Sequence, residues 1–229
     1  MICMSHPSLE TKLKLYSDSP LVLVVESPHQ YYRMVCDLTK EFDGDVSDFS
    51  CWDGLARVRG DKVGELLCNH FSFELADKRM VALLHKQLGR NFLNGTHLVE
   101  FNKINGEIDL FLHDLCATVD FAVDSAELQL DDLLKACSVR PAKVYQSFLE
   151  KVICYINMFV ALRGVEIFVF VGLKSVLDDD DLAQLYKHCT LAKVSLLLVE
   201  SCKQRPLLPD ERAVIVTDDL CEITENIVE

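Results

Sequence analysis

The sequence lacks the residues that mark the commonest catalytic and cofactor sites. A buried strand, a turn and a helix are predicted between Ser19 and Asp37, and the stretch from Ser27 to Tyr31 after the strand contains neither glycine nor lysine. Glycines let bare backbone N–H groups surround the phosphates of a nucleotide, and a lysine reaches those phosphates. The turn is therefore not a phosphate-binding loop. The sequence also has no Gly-x-Ser-x-Gly elbow and no His-Glu-x-x-His helix.

The ten cysteines show no disulfide or zinc pattern. They occur singly, without one Cys-x-x-Cys pair, whereas zinc sites built from cysteine usually contain such pairs. We expect reduced thiols, most of them buried.

Long apolar runs are also missing. No run approaches the roughly 20 residues that a transmembrane helix needs. The N-terminal residues lack the basic and apolar regions of a secretory signal. We therefore expect a cytoplasmic protein that does not contact membranes.

Basic residues are in the minority. The chain has 23 Lys and Arg against 36 Asp and Glu, a formal charge of −13 at pH 7. Proteins that bind nucleic acid usually carry a net positive surface that releases counterions from the phosphates. A nucleic-acid function would require cations concentrated on one surface, or recruited metal ions. The acidity is equally consistent with a simple contribution to solubility.

Apolar residues, by contrast, are plentiful. They make up 50% of the 229 residues, which is enough for a substantial core. Buried strands are predicted at 21–26, 165–172, 194–201 and 213–217, and the second and third flank a helix. A strand, helix and parallel strand form a right-handed crossover. The pattern predicts an α/β core domain built from residues 1–60 and 138–229.

The segment 61–137 has helical periodicity and is predicted to be an inserted α-helical domain. Two apolar stripes follow, and Asp77 precedes the first of them. Their spacings of three and four put one apolar face on each of two helices. The two helices are therefore expected to pack as an antiparallel hairpin. The stripes are Met80, Val81, Leu84, Leu88 and Phe92, and Phe101, Ile104, Ile108, Phe111, Leu112, Leu115 and Val119. Pro141 is predicted to open a later helix that ends at Arg163.

The order of these elements resembles a known family. The run Asp131–Val139, which leads into Tyr145–Lys151 and then Ile167–Val171, is similar to the small ring-forming CRISPR-associated protein of subtype II-A systems, which assists acquisition of new spacers in antiviral defence. The resemblance implies a degenerate P-loop-NTPase-like core, with a parallel sheet but no nucleotide, and an inserted α-helical leg domain.

The resemblance also implies a function. It predicts a homotetrameric ring that binds ends of double-stranded DNA without sequence preference and without catalysis. Bound calcium would hold the shape of the ring. The expected partners are the CRISPR integrase proteins and the large type II effector nuclease.

A ring that encloses DNA needs cations on its inner wall to meet the phosphates. The candidates are two clusters: Lys135, Arg140, Lys143 and Lys151, and Arg57, Arg59 and Lys62. Lys143 and Lys151 are eight positions apart on the helix predicted from Pro141, which places them close to a shared face. The alternative interpretation is that both clusters are ordinary solvated surface.

Calcium prefers six to eight oxygen ligands. The candidate ligands are five carboxylates within 13 residues: Asp120, Asp124, Glu127, Asp131 and Asp132. They do not have EF-hand spacing. The alternative is that Asp131 and Asp132 stabilise the start of the next helix while the others are solvated. The longer acidic run, Asp178–Asp181, is interpreted as a helix cap and not as a metal site.

Two other functions remain open. Glu26 and Glu200 end predicted neighbouring strands at the edge where α/β proteins bind ligands. They could serve a divalent-metal nuclease or nucleotide hydrolase, although a structural role is favoured because no phosphate loop lies beside them. The other alternative is a structural oligomerising module that never contacts nucleic acid.

Overall fold

The computed structural model describes residues 1–203 and 205–226. Contacts divide the chain into two compact units. The sheet unit comprises Met1–Phe73 and the described residues from Tyr145 onward. The helical unit comprises Glu74–Val144.

The sheet unit contains all the strands of the described residues. In chain order they are β1 (Ile2–Ser5), β2 (Leu13–Leu15), β3 (Leu21–Val25), β4 (Ser50–Asp53), β5 (Ala56–Val58), β6 (Gly64–Leu67), β7 (Ile167–Val171), β8 (Ser195–Glu200), β9 (Arg212–Val216) and β10 (Glu222–Glu225). The strands predicted near 21, 165, 194 and 213 are confirmed as β3, β7, β8 and β9.

Helices occur in both units. In chain order they are α1 (Pro28–Asp43), α2 (Gly60–Val63), α3 (Lys78–Leu93), α4 (His97–Cys116), α5 (Leu130–Ala136), α6 (Phe148–Arg163) and α7 (Asp179–Ala192), with a 3-10 turn at Leu173–Ser175. None of the described helices combines the length and apolar character needed to span a bilayer.

The main sheet has six strands in the order β10-β9-β3-β8-β7-β6. Its five strands from β9 to β6 are parallel, and β10 pairs antiparallel with β9 at one edge. The predicted parallel pairing of β7 with β8 is confirmed. The fold is therefore mixed α/β with a largely parallel sheet. The strands β1, β2, β4 and β5 form a second, antiparallel sheet.

The main sheet is covered on both faces. Side chains of a strand alternate between the faces, and on one face Leu23 belongs to a buried cluster with Met34 and Leu38 of α1. On the other face Phe168 lies 6.4 Å from Tyr155 of α6, measured between ring centroids. Burying one such side chain stabilises the fold by roughly 1.5–3 kcal/mol. Covering on both faces explains why these strands are continuously apolar.

The helical unit contains the predicted pair of helices. The Asp77 carboxylate caps α3 by accepting a hydrogen bond from the Met80 N–H at 2.7 Å. Residues 94–96 join α3 to α4, and the rings of Phe92 and Phe101 pack edge to face with centroids 5.2 Å apart. The two predicted helices and the contact between them are confirmed. That this unit is a separate domain stays a prediction.

The bounds predicted for the helical segment, 61–137, differ from those of the helical unit. Strand β6 lies inside the predicted segment but pairs with β7 in the main sheet, so the helical unit begins only at Glu74. At its other end the unit extends to Val144. The sequence did not reveal β6 because four residues are too few to show a period.

The predicted helix start at Pro141 is wrong. Helix α6 begins at Phe148, where the Ser147 hydroxyl accepts a hydrogen bond from the Glu150 N–H at 3.1 Å. The Glu150 carboxylate in turn accepts the N–H of Gln146. The Ser147 cap is a stronger start signal than proline alone. Lys143 consequently lies outside the helix and does not share a helical face with Lys151.

Part of the apolar stripe predicted on α4 is uncovered. Phe101, Ile108 and Leu112 are half-buried, as expected for the packed face. Ile104, Phe111 and Leu115 are 45%, 64% and 52% exposed. The expectation of a single covered stripe is therefore wrong for this half of the pattern.

The expectation that most thiols are buried is also wrong. All ten cysteines are free, but only Cys51 and Cys189 are buried. Burial raises the pKa of each of these two thiols to about 12. Four other cysteines are exposed, namely Cys68, Cys137, Cys202 and Cys221.

Candidate strand-end site and nucleic-acid interface

Glu26 and Glu200 lie at the carboxyl ends of neighbouring strands, as predicted. Strands β3 and β8 are parallel, with Val24 opposite Glu200, and Glu26 follows two positions later. Ligands of open α/β sheets bind at this edge. Glu200 is only 2% exposed, while Glu26 is half-buried.

A buried ion pair adjoins Glu200: Lys174 follows β7 at this edge, whereas Glu211 directly precedes β9, at the amino ends of the strands. Lys174, in the 3-10 turn after β7, places its Nζ 2.6 and 2.7 Å from the two carboxylate oxygens of Glu211. Glu211 also accepts hydrogen bonds from the Tyr186 hydroxyl and from the Leu208 N–H. Both charged side chains are almost completely buried. A buried charge is tolerated only when it is paired and hydrogen-bonded in this way.

Glu200 is part of this closed arrangement. Its Oε1 accepts the backbone N–H of Lys174 at 2.9 Å, and burial raises the pKa of Glu200 above its ordinary value. Arg205 donates to the carbonyl groups of Lys174 and Leu177 and pairs with Asp179 at 2.7 Å. The cavity bounded by Lys174, Glu200 and Arg205 measures about 10 Å³. That volume holds about one water molecule, and not a phosphate group.

The turn between β3 and α1 offers little to an anion. It contains only Glu26 and Ser27, and the Ser27 side chain makes no capping hydrogen bond. Pro28 is the first helical residue and has no N–H to donate. Backbone N–H groups at a helix start are what normally bind phosphate. The local structure therefore agrees with the absence of a phosphate cradle inferred from the sequence.

Three of the seven predicted DNA-binding residues lie in the helical unit. Lys135 pairs with Asp131 at 2.5 Å, and Lys143 pairs with Glu74 at 3.2 Å. Arg140 is exposed and has no salt bridge within the described residues. The two pairs are at the surface, where such interactions contribute about 0–1 kcal/mol.

The other four predicted residues lie in the sheet unit. Lys151 donates to the Phe73 carbonyl, and its Nζ lies 4.1 Å from the centroid of the Phe73 ring, so its charge is used structurally. Arg59 and Lys62 both pair with Asp61. Arg57 is exposed, with no salt bridge in the described part of the chain.

The five predicted calcium ligands are all exposed. Glu127 and Asp131 line one groove of about 430 Å³ in the helical unit. Asp131 is already held by Lys135, whose hydrogen bond lowers the pKa of Asp131. Within the described residues, no three of these five carboxylates come within 4.8 Å of one another. This arrangement does not fit a calcium ion, which needs more oxygen ligands than two side chains supply.

One group of potential metal ligands was not predicted. Side-chain atoms of His6, Asp37 and Asp48 lie within 4.8 Å of one another. However, His6 Nδ1 accepts the Ser8 N–H at 3.1 Å, so in the neutral ring the proton is on Nε2, which faces Asp37. Lys40 also donates to Asp37 at 2.7 Å. Since Nε2 carries a proton and Asp37 is already paired, we interpret this group as structural.

The Lys174–Glu211 pair was also missed by sequence reasoning. The two residues are 37 positions apart, and neither stands in a recognisable motif. Strand adjacency offered no signal either, because Lys174 follows β7 while Glu211 precedes β9, and these two strands are not neighbours in the sheet. The predicted cap at Asp178 was easier to find and is confirmed, since its carboxylate accepts the Asp181 N–H at 2.8 Å.

Comparison with known families identifies the chain's relatives. Residues 56–220, more than two thirds of the chain, match the family described as CRISPR-associated protein (Cas_Csn2). The chain belongs to the Csn2 family. This is the spacer-acquisition family of subtype II-A CRISPR systems, so the resemblance seen in the sequence is confirmed. A search of curated proteins found no match.

The Csn2 match has a bearing on the strand-end site. It spans the whole helical unit and includes Lys174, Glu200 and Glu211, while Glu26 lies before it. Csn2 is an accessory family without a catalytic role. A strand end closed by the protein's own side chains is consistent with that role.

Proposed function

We propose that this Csn2 protein binds the ends of double-stranded DNA as a homotetrameric ring, without sequence preference and without catalysis, and that it supports acquisition of new spacers in the cytoplasm. Its partners would be the CRISPR integrase proteins and the large effector nuclease. Family membership supports the CRISPR setting. The observation that favours binding over catalysis is the cavity beside Glu200, where Lys174 and Arg205 leave only about 10 Å³ for a nucleotide or a catalytic metal.

The core is proposed to be a degenerate relative of the P-loop NTPases. In support, β3 lies inside a parallel sheet and is followed at once by α1, which is the position of a phosphate loop. The two-residue turn and Pro28 remove the glycines and the N–H groups on which such a loop depends. A scaffold of this kind retains its sheet while losing its nucleotide.

Contact with DNA is proposed through the predicted basic residues. Arg57 and Arg140 are exposed and without salt bridges in the described residues, so they can meet phosphates directly. The other predicted residues with salt bridges pair with exposed or partly exposed carboxylates; they are Arg59, Lys62, Lys135 and Lys143. Exchanging such a surface partner for a phosphate costs little. Because these contacts join lysine and arginine to phosphates, binding should weaken steeply as salt rises.

Assembly is supported by the exposed apolar side chains of the helical unit. Leu93, Val99, Leu110 and Phe111 are 81%, 77%, 70% and 64% exposed. Apolar surface of this kind marks interaction sites on soluble proteins. The proposed calcium requirement is supported by the family resemblance alone. Of the five predicted ligands, only Glu127 and Asp131 line a common groove, and two carboxylates are too few for a calcium ion.

The proposal is tested by gel shift with a short linear duplex and a covalently closed duplex of the same sequence. We expect the linear form to be bound at least about tenfold more tightly, because a closed duplex offers no end to enter the ring. Adding a chelator tests the calcium requirement. Equal affinity for both forms would contradict end binding, and turnover of DNA or nucleotide would support the enzyme alternative.

A further inference from the structure

The second sheet, formed by β1, β2, β4 and β5, has one apolar face and one polar face. Met4, Leu13 and Cys51 belong to the buried cluster that also contains Leu23 of β3. Side chains alternate between the two faces along each strand, so the residues between these apolar positions point outward. In sheet order the outward residues are Lys14 on β2, Cys3 and Ser5 on β1, Ser50 and Trp52 on β4, and Arg57 on β5. We call this set, together with Lys12 just before β2, the outer face.

The register of the sheet aligns four residues of the outer face in one row. Cys3 lies opposite both Lys14 and Trp52, and Trp52 lies opposite Arg57. Neighbouring strands are about 4.8 Å apart, so the backbones of Lys14 and Arg57 are about 14 Å apart at the two edges of the sheet. Because the side chains of β1 are small, the long side chains of β2 and β4 flank a shallow groove that runs along β1.

The outer face is basic, although the chain as a whole is acidic. Lys12, Lys14 and Arg57 are exposed, and none of them has a salt bridge within the described residues. No aspartate or glutamate occupies an outward position of these four strands. Asp53, at the end of β4, alternates to the other side from Trp52 and lies 3.2 Å from the Met1 nitrogen. In a chain with a formal charge of −13, this face therefore suits an anionic partner.

Trp52 adds an aromatic ring to the same face. It is 37% exposed, and its Nε1 donates a hydrogen bond to the Ser50 hydroxyl at 3.2 Å. The Ser50 hydroxyl in turn lies 3.0 Å from that of Ser5. These contacts hold the ring over its own strand, so little ordering is required when a ligand binds. A ring beside cations is the combination that binds single-stranded nucleic acid, because bases stack on the ring and phosphates meet the cations.

We propose that the outer face binds single-stranded nucleic acid without sequence preference, with a base stacked on Trp52 and phosphates paired with Lys12, Lys14 and Arg57. This inference goes beyond the proposed binding of duplex ends. A base inside a duplex is stacked on its neighbours and does not reach a protein ring, so Trp52 selects an unpaired strand. An acidic peptide would meet the cations but has no base for the ring. Four-stranded sheets with exposed aromatic residues bind single strands in this way elsewhere.

The first test uses the fluorescence of Trp52, which is the only tryptophan in the sequence. The full chain is titrated with unlabelled oligonucleotides of mixed sequence, about 12 nucleotides long, which is within the range of known single-strand sites. DNA and RNA of the same sequence are compared, because both offer bases and phosphates. We expect quenching by stacked bases and no quenching by a glutamate-rich peptide of equal charge. Absence of quenching by both oligonucleotides would overturn the proposal, and stronger binding of either one would identify the natural strand.

The second test measures the affinity of variants for a labelled single strand by fluorescence anisotropy. Trp52→Ala should weaken binding at least about fivefold, whereas Trp52→Phe retains a ring and should stay within about threefold of the unmodified chain. Lys14→Glu should weaken binding at least about threefold and make it less sensitive to salt. Far-UV circular dichroism checks that each variant is folded. Unchanged affinity in folded Trp52→Ala would overturn the proposal.

Lys187→Glu is the matched control for Lys14→Glu. Lys187 is exposed on α7, outside the second sheet, so the same change of charge there should leave single-strand binding unchanged. An equal loss in both variants would overturn the proposal, since net charge and not the outer face would then govern binding. Displacement of the oligonucleotide by the glutamate-rich peptide at an equal concentration would also overturn it.

Binding of linear duplex DNA is measured separately on the same proteins. Trp52→Ala and Lys14→Glu should not change it, because neither residue is among the proposed duplex contacts. If the unmodified chain binds duplex ends but no single strand, the outer face is wrongly assigned and the proposed function stands. If it binds the single strand through Trp52 but no duplex, the outer face is correctly assigned and the proposed function fails.

Discussion

The sheet unit and the helical unit treat their apolar and charged residues differently. In the sheet unit every residue of β3 and β7 is buried, and even the charged pair Lys174–Glu211 is enclosed and hydrogen-bonded. In the helical unit, α4 has one buried residue, Asn105, and leaves Phe111 64% exposed. The difference shows that β3 and β7 are fully covered within one chain, whereas α4 leaves apolar side chains exposed.

The comparison is tested most strongly at two lysines, one in each unit. Lys174→Ala should lower the free energy of unfolding by about 3–5 kcal/mol, because it leaves Glu211 charged and buried without its partner. Lys143→Ala removes an exposed pair with Glu74 and should cost less than about 1 kcal/mol. Urea unfolding monitored by circular dichroism measures both.

A double variant distinguishes the effect of the two charges on stability from the effect of the volume that their side chains fill. Lys174→Met/Glu211→Leu removes both charges while retaining apolar volume, and should recover most of the stability lost in Lys174→Ala. Equal stability of Lys174→Ala and Lys143→Ala would show that the Lys174–Glu211 pair is not buried as described.

The same comparison is made with leucines. Leu23 is completely buried in β3, whereas Leu110 on α4 is 70% exposed. Leu23→Ala should destabilise the fold by about 2–5 kcal/mol through lost burial and a cavity. Leu110→Ala should change stability by no more than about 0.5 kcal/mol. A large loss of stability for Leu110→Ala in the monomer would mean that α4 is packed within its own chain.

The smallest expected effect is a pH dependence at Glu200. Because burial raises the pKa of Glu200 in the folded state above its ordinary value of 4.5, its contribution to stability is complete below pH 4.5 and is lost as pH rises through the folded-state pKa. Glu200→Gln removes this titration. Its stability relative to the unmodified protein should therefore improve as pH rises above 4.5.

Thermal unfolding between pH 4 and pH 8 measures this trend. Glu166→Gln, an exposed glutamate just before β7, is the control and should show no comparable trend. A relative stability of Glu200→Gln that falls with rising pH would contradict the assigned direction of the pKa.

The sequence predicted elements whose signals are local. The apolar runs of β3, β7, β8 and β9 are long enough to be recognised, and Asp77 and Asp178 cap helices as expected because a cap acts within three residues. Pro141 was misleading, since proline at a helix start is permissive while the Ser147 cap specifies the start.

The candidate site could not be predicted in the same way. Lys174 and Glu211 meet only through the folding of the main sheet, so no spacing in the sequence predicted their contact. For α4, the spacing of three and four identified apolar positions but not which of them a neighbouring helix covers. Which of these positions are covered depends on how the helices of this unit pack together. In the folded unit Ile104, Phe111 and Leu115 remain exposed.

Enclosure of DNA by the proposed ring is tested most directly by topological trapping. The protein is loaded on a linear duplex with biotin at both ends, the ends are then blocked with streptavidin, and the complex is challenged with high salt, which weakens contacts to phosphates. We predict that the protein stays on blocked DNA and leaves unblocked DNA. Equal loss from both would contradict enclosure and would mean that the protein binds DNA only through surface contacts.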